Sequence, residues 1–163
     1  METPEDRLVK LGITLPPHSP GNTRFARCVQ DGPWLYLSGH GPEDHEGNLL
    51  CRGRVGADVT VAEAVDAARA TGIQLLRTMR DHLGSLERVE RIIKALVFVN
   101  SADDFFEQPL VADGFTDLMR QVFDENGVHT RSAIGTNHLP RNQSVEIEVL
   151  ARVRPDGSTP DSA

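Results

Sequence analysis

The run from Val145 to Arg154 constrains this chain more than any other stretch. In it Val145, Ile147, Val149, Ala151 and Val153 alternate with Glu146, Glu148, Leu150, Arg152 and Arg154. A period of two marks a β-strand with one apolar face, and the opposite face carries carboxylates. The run before it, beginning at Val128, is also β-patterned and reaches the first through a Pro-containing turn at Pro140 to Asn142. If the two runs pair across that turn, the Arg131 guanidinium approaches Glu146. A fixed cation for a substrate carboxylate would then stand beside a carboxylate able to handle a proton. The plainer alternative is a cross-strand Arg–Glu pair on an ordinary surface.

The rest of the sequence supplies the layers such a strand needs. Residues 4 to 11 predict a short helix with Thr3 as cap, Pro4 at the first position, Gly12 as stop, and Leu8 and Leu11 on the buried side. Leu15 to Gly21 holds three prolines and reads as an extended connector. Phe25 to Gln30 and Trp34 to Ser38 predict two strands around Asp31-Gly32, a turn-forming dipeptide. Thr60-Val61-Ala62-Glu63 has the form of a capping box and opens a long helix. Its apolar stripe runs through Val65, Ala68, Gly72, Leu75 or Leu76, Met79 and Leu83, with Gly84 as stop. Val89 to Asn100 is β-patterned, with Ile92, Ile93, Leu96, Val97, Phe98 and Val99 nearly continuous, as in a strand buried on both faces. A second long helix follows from about Leu110 to Asp124, with Val111, Phe115, Leu118 and Val122 inward and Asn126-Gly127 as its end.

These elements predict an α+β sandwich: a mixed, mainly antiparallel sheet with the two long helices on one face. The other face then needs a cover of its own, because an exposed apolar sheet face is an association surface. One domain over residues 1–154 is expected, with a polar, flexible tail at 155–163.

Charge and motifs narrow the function. A net charge of −7 with no run of Lys or Arg makes nucleic acid a poor partner. No apolar run is long enough to span a bilayer, and the acidic start at Met1 to Asp6 lacks the apolar core of a signal peptide, so a cytoplasmic location is expected. Cys28 and Cys51 lack metal-type spacing and read as reduced structural thiols. The six histidines are scattered, so no metal site is expected, and the chain lacks a phosphate loop, a His-Glu-x-x-His helix and a Gly-x-Ser-x-Gly elbow. No cofactor is expected. His40, in a polar Gly-rich loop, is a candidate acid or base, although a solvated surface histidine is the plainer reading.

Four short segments, in order, resemble one known family. They are Leu37-Ser38-Gly39-His40, Val97-Phe98-Val99-Asn100, Thr130-Arg131-Ser132-Ala133 and Val145-Glu146-Ile147-Glu148-Val149-Leu150-Ala151. Together they resemble the reactive intermediate deaminase family, also called RidA or YjgF, as an atypical member. The resemblance implies a chorismate-mutase-like fold closing into a homotrimer, with a cleft at each subunit boundary. It implies hydrolysis of 2-imino or enamine acids to 2-oxo acids and ammonia. Arg131 matches the family's carboxylate-binding arginine, Glu146 its water-orienting acid, and Ala133 the position whose backbone N–H faces the substrate carboxylate. Gly39 and His40 fall in a cleft-lining segment, where His40 replaces a glutamine. Phe25 stands where many members have tyrosine, with core packing as its plainer role, and Asp113 where an asparagine is common. Those two departures bear on substrate choice. Two other readings stay open on the same fold: a non-catalytic small-carboxylate-binding or regulatory module, and an endoribonuclease or translation inhibitor.

Overall fold

The protein's computed structural model describes residues 2–17 and 24–155. Among these, the sheet has the order β1-β2-β5-β3-β4, made of β1 (Cys28–Asp31), β2 (Trp34–His40), β3 (Val89–Asn100), β4 (Thr130–Thr136) and β5 (Val145–Val153). The alternation in β5 is real. Val145, Ile147, Val149, Ala151 and Val153 are all buried, whereas Glu148 and Arg152 are exposed. β5 lies at the centre, antiparallel to both β2 and β3.

Helices α2 (Val61–Leu83) and α3 (Gln108–Phe123) cover the apolar face. The α2 capping box forms as the sequence predicts. Thr60 accepts from the Glu63 backbone, Glu63 reaches back to the Thr60 backbone, and Gly84 closes the helix in the left-handed region. Leu75, Leu76 and Met79 of α2 and Phe115, Leu118 and Met119 of α3 are fully buried in one cluster with Leu35, Ile92, Val97 and Ile147 of the sheet. The two helices approach closely because small residues line their contact. A Cβ at Gly114 would run into the Val65 carbonyl. The short helix α1 (Pro4–Lys10) is capped by Thr3 and buries Leu8, but Leu11 is exposed rather than buried.

Four expectations change. First, β4 and β5 do not pair across the Pro140 turn. The chain leaves β3, runs through α3, and returns as β4 parallel to β3, so β3 separates the two. Second, the residues between β1 and β2 are Gly32-Pro33, since Asp31 pairs with Trp34, and the φ of +57° at Gly32 suits glycine. Third, β1 starts only at Cys28, leaving Phe25 outside it and 55% exposed, so Phe25 is not core. Fourth, β3 is buried on one face only. Its Ile93, Leu96 and Phe98 are half-buried on the side without helices. Residues 18–21 of the expected connector and 156–163 of the expected tail lie outside the described residues.

Candidate functional site

The residues singled out by the sequence fall into two groups, one on each side of the sheet. Glu146 points to the uncovered face, since its neighbours Val145 and Ile147 point to the helices. It is half-buried there, for two reasons. Gln143, itself buried, donates from Nε2 to Glu146 Oε2 at 2.6 Å. The other oxygen, Oε1, lies over Gly39, where any Cβ would collide with it. Burial, with help from Glu148, raises the Glu146 carboxyl above the ordinary range, and the Gln143 bond opposes this. A carboxyl raised in this way is better suited than an ordinary one both to accept and to return a proton.

Gly39 reaches Glu146 because β2 is irregular at this point. The pairing with β5 shifts between Leu37 and His40, a bulge that takes Ser38 and Gly39 out of the β2–β5 register. The same bulge turns His40 toward the helices, where it is 4% exposed. Its Nδ1 lies 2.6 Å from the Ser38 carbonyl, which only accepts, so Nδ1 carries the proton. Nε2 therefore accepts from the Thr78 hydroxyl of α2 at 2.8 Å. Desolvation, with Arg27 and Arg77 nearby, pushes His40 down to about 4 against the opposing Ser38 bond. His40 is a neutral strut between β2 and α2 and does not reach the open face.

Arg131 belongs to the other group. In the β3–β4–β5 ladder it pairs with Ala95, which pairs with Val149, and both partners are buried on the helix side. Its side chain crosses from the edge strand to α3. There Nη1 donates to Asp113 Oδ1 at 2.8 Å and to Thr116 Oγ1 at 2.9 Å. Asp113 and Thr116 are three apart and share one helix face. Ala133, two residues along β4, lies on the same side as Arg131 and packs partly against the core. Glu146 aligns instead with Phe98 and Ile134. Within one chain, therefore, Arg131 and Glu146 stand on opposite faces with β3 between them. The expected approach of the two does not occur.

The sequence-level family match decides the class. The model described as "YjgF/chorismate mutase-like, putative endoribonuclease" matches residues 5–153. The chain belongs to this YjgF family. Among relatives, the protein TCP17 of Trypanosoma cruzi is 40% identical over 147 residues, covering 90% of this chain and 91% of that one. A crystal structure of a protein of unknown function from Agrobacterium tumefaciens is 37% identical with a TM-score of 0.85, over 93% of this chain and 92% of the other. A second, of a "putative endoribonuclease" from Shewanella oneidensis, is 30% identical with a TM-score of 0.88, over 93% and 99%. The mixed sheet with its helices is thus the chorismate-mutase-like YjgF fold.

Against that YjgF background, sequence reasoning missed Gln143, Thr116 and Thr78, the residues that hold Glu146, Arg131 and His40. Only Thr116 carried a signal, its three-residue spacing from Asp113 on a helix. Among the described residues no group of three or more His, Cys, Asp or Glu could hold a metal ion. Cys28 and Cys51 are free thiols. Among the described residues, no helix is long and apolar enough to cross a membrane.

Proposed function

We propose that this YjgF-family chain is a hydrolytic deaminase of 2-imino and enamine acids, working as a homotrimer in which each site is assembled from two protomers. The observation that carries this reading is Glu146: a propped, half-buried carboxyl with a raised pKa on the face that the described residues leave uncovered. One half-site holds Glu146, Gln143 and Gly39 on that face. The other holds Arg131, Asp113 and Ala133 at the β4 edge. Closed symmetry brings such separated patches together, since every copy offers both.

In this scheme Arg131 of one copy takes the substrate carboxylate, with help from the Ala133 backbone, and the exposed Phe25 and Gly39 line the cleft. For an enamine such as 2-aminoacrylate, Glu146 protonates the methylene carbon to give the imine. The resulting carboxylate then accepts a proton from water as its oxygen attacks the imine carbon. The tetrahedral carbinolamine loses ammonia as Glu146 returns that proton to nitrogen, and the carbinolamine hydroxyl gives its own proton to Glu146, which leaves the 2-oxo acid and restores the protonated carboxyl. Water is consumed and ammonia released, so the step balances without metal, cofactor or covalent nucleophile. Positioning of one water suffices for a reaction that is already facile in solution.

The test is pyruvate release in a coupled assay that generates 2-aminoacrylate. Acceleration by the wild-type chain should vanish in Arg131→Ala and in Glu146→Gln. Co-expression of the two variants should restore part of the activity, because mixed trimers contain sites with both intact residues. No acceleration by the wild-type chain sinks the deaminase reading, and no restoration sinks its two-protomer form.

A second reading, a non-catalytic small-acid-binding module, draws on Asp113, which already neutralises Arg131. Retained 2-oxo acid binding without acceleration would favour it. The endoribonuclease reading must contend with the −7 net charge and with Glu146 and Glu148 on the open face. It requires salt-sensitive RNA binding.

A further inference from the structure

Arg131 is clamped at one corner and open at another. Nη1 carries two hydrogens, and Asp113 and Thr116 account for both. Thr116 accepts from the guanidinium, so its own hydrogen is free to point at His129 Nε2, 3.4 Å away. His129 Nδ1 lies 2.7 Å from the Gly127 carbonyl, which fixes the proton on Nδ1 and leaves Nε2 as the acceptor. The clamp is thus backed by the turn that follows α3. Among the described residues, Nε and Nη2 of Arg131 make no hydrogen bond, and the side chain is 22% exposed. Those two nitrogens form a planar edge with parallel N–H bonds, the geometry that matches a carboxylate.

We propose that Asp113 is the specificity-determining residue of this site: by holding and neutralising Arg131, it admits a substrate with one carboxylate and disfavours a second anionic group. The inference rests on the deaminase reading for the role of Arg131, but it concerns a residue beside the reacting atoms rather than one that touches them. Its reasoning is electrostatic. An unpaired guanidinium would attract every small acid in proportion to its charge. The Asp113–Arg131 pair has no net charge, so a monocarboxylate binds by the directed N–H bonds alone. A dicarboxylate brings its second charge within a Debye length of the Asp113 carboxylate, which is about half exposed. Selection therefore comes from the fixed anion on the protein rather than from pocket size.

The experiment uses the full chain and two product-like probes, pyruvate and 2-oxoglutarate, with affinity measured by calorimetry at low and at raised salt. Wild type should bind pyruvate with little salt dependence and 2-oxoglutarate more weakly. Asp113→Asn keeps an acceptor for Nη1 and removes the charge. It should tighten 2-oxoglutarate binding by roughly tenfold and pyruvate by less, and both affinities should become salt-dependent. Thr116→Val loosens the clamp without changing charge, so it should weaken both probes equally and leave the salt dependence as in wild type. Melting temperature and circular dichroism of each variant establish that it is folded. If Arg131→Ala abolishes binding while Asp113→Asn changes neither the probe ratio nor the salt dependence, the proposal for Asp113 fails and the role of Arg131 stands. If Arg131→Ala leaves binding intact, both are overturned.

Discussion

The two faces of the sheet come from alternate residues of the same strands, yet among the described residues only one of them is covered. On the helix side, Val97, Val99, Ile147 and Ala151 are fully buried. On the other side Tyr36 and Ile134 are about half exposed, and Leu96, Phe98 and Leu150 are partly so. Carboxylates and basic residues punctuate that surface, including the Arg152–Glu90 ion pair. The difference teaches where stability and function separate. The closed face specifies the fold and carries polar groups of the candidate site only at its β4–α3 rim, where Arg131 meets Asp113, whereas the open face is too apolar to be idle and too polar to be a core.

That contrast can be tested in decreasing order of effect. Phe115→Ala, at the centre of the closed face, should lower unfolding free energy by about 3–5 kcal/mol, read from the denaturant midpoint. A loss below about 1 kcal/mol would mean that the closed face is not the stabilising one.

Next comes the pH dependence of the buried strut. His40 titrates near 6.5 in the unfolded chain but only near about 4 in the fold. Between those values the unfolded state binds more protons, so stability falls as pH drops from about 6.5 to about 4 and levels off below. The expected loss is about 3 kcal/mol. His40→Gln should remove this part of the slope in thermal melts taken across that window. An identical slope in the variant would show that His40 does not set it.

The smallest effect on stability belongs to the open face. Replacing Tyr36 and Ile134 together by serine should change the unfolding free energy of the dissociated chain by less than about 1 kcal/mol. Sedimentation should nonetheless show loss of the proposed trimer. If the mass in solution is unchanged by the double substitution, this face is not the assembly surface.

Much of the architecture was legible because local rules and tertiary packing agree. The β5 alternation, the Thr60–Glu63 box and the α3 stripe of Val111, Phe115, Leu118 and Val122 were each readable, and each is present. Strand partnership was not legible in the same way. A short Pro-containing connection between two β-patterned runs suggests a hairpin, but nothing local forbids a third strand from entering between them. β3 does enter, pairing antiparallel with β5 on one side and parallel with β4 on the other. The candidate site suffered from this directly, since the expected Arg131–Glu146 approach depended on that hairpin. His40 shows a second limit. A one-residue irregularity in β2 reverses which side a residue faces, and the segment Ser38-Gly39-His40-Gly41 carries no pattern that places the bulge.

The position of β5 has a kinetic consequence. It follows the other four strands in sequence, but it sits in the middle and joins β2 to β3. Before it inserts, the β1–β2 hairpin and the β3–α3–β4 unit are separate fragments with no ladder linking them. Closing the sheet must therefore await contacts between residues more than a hundred positions apart, such as Leu35 with Ala151. Folding should be slow and all-or-none, with Val145–Val153 acting as the keystone whose arrival commits the rest.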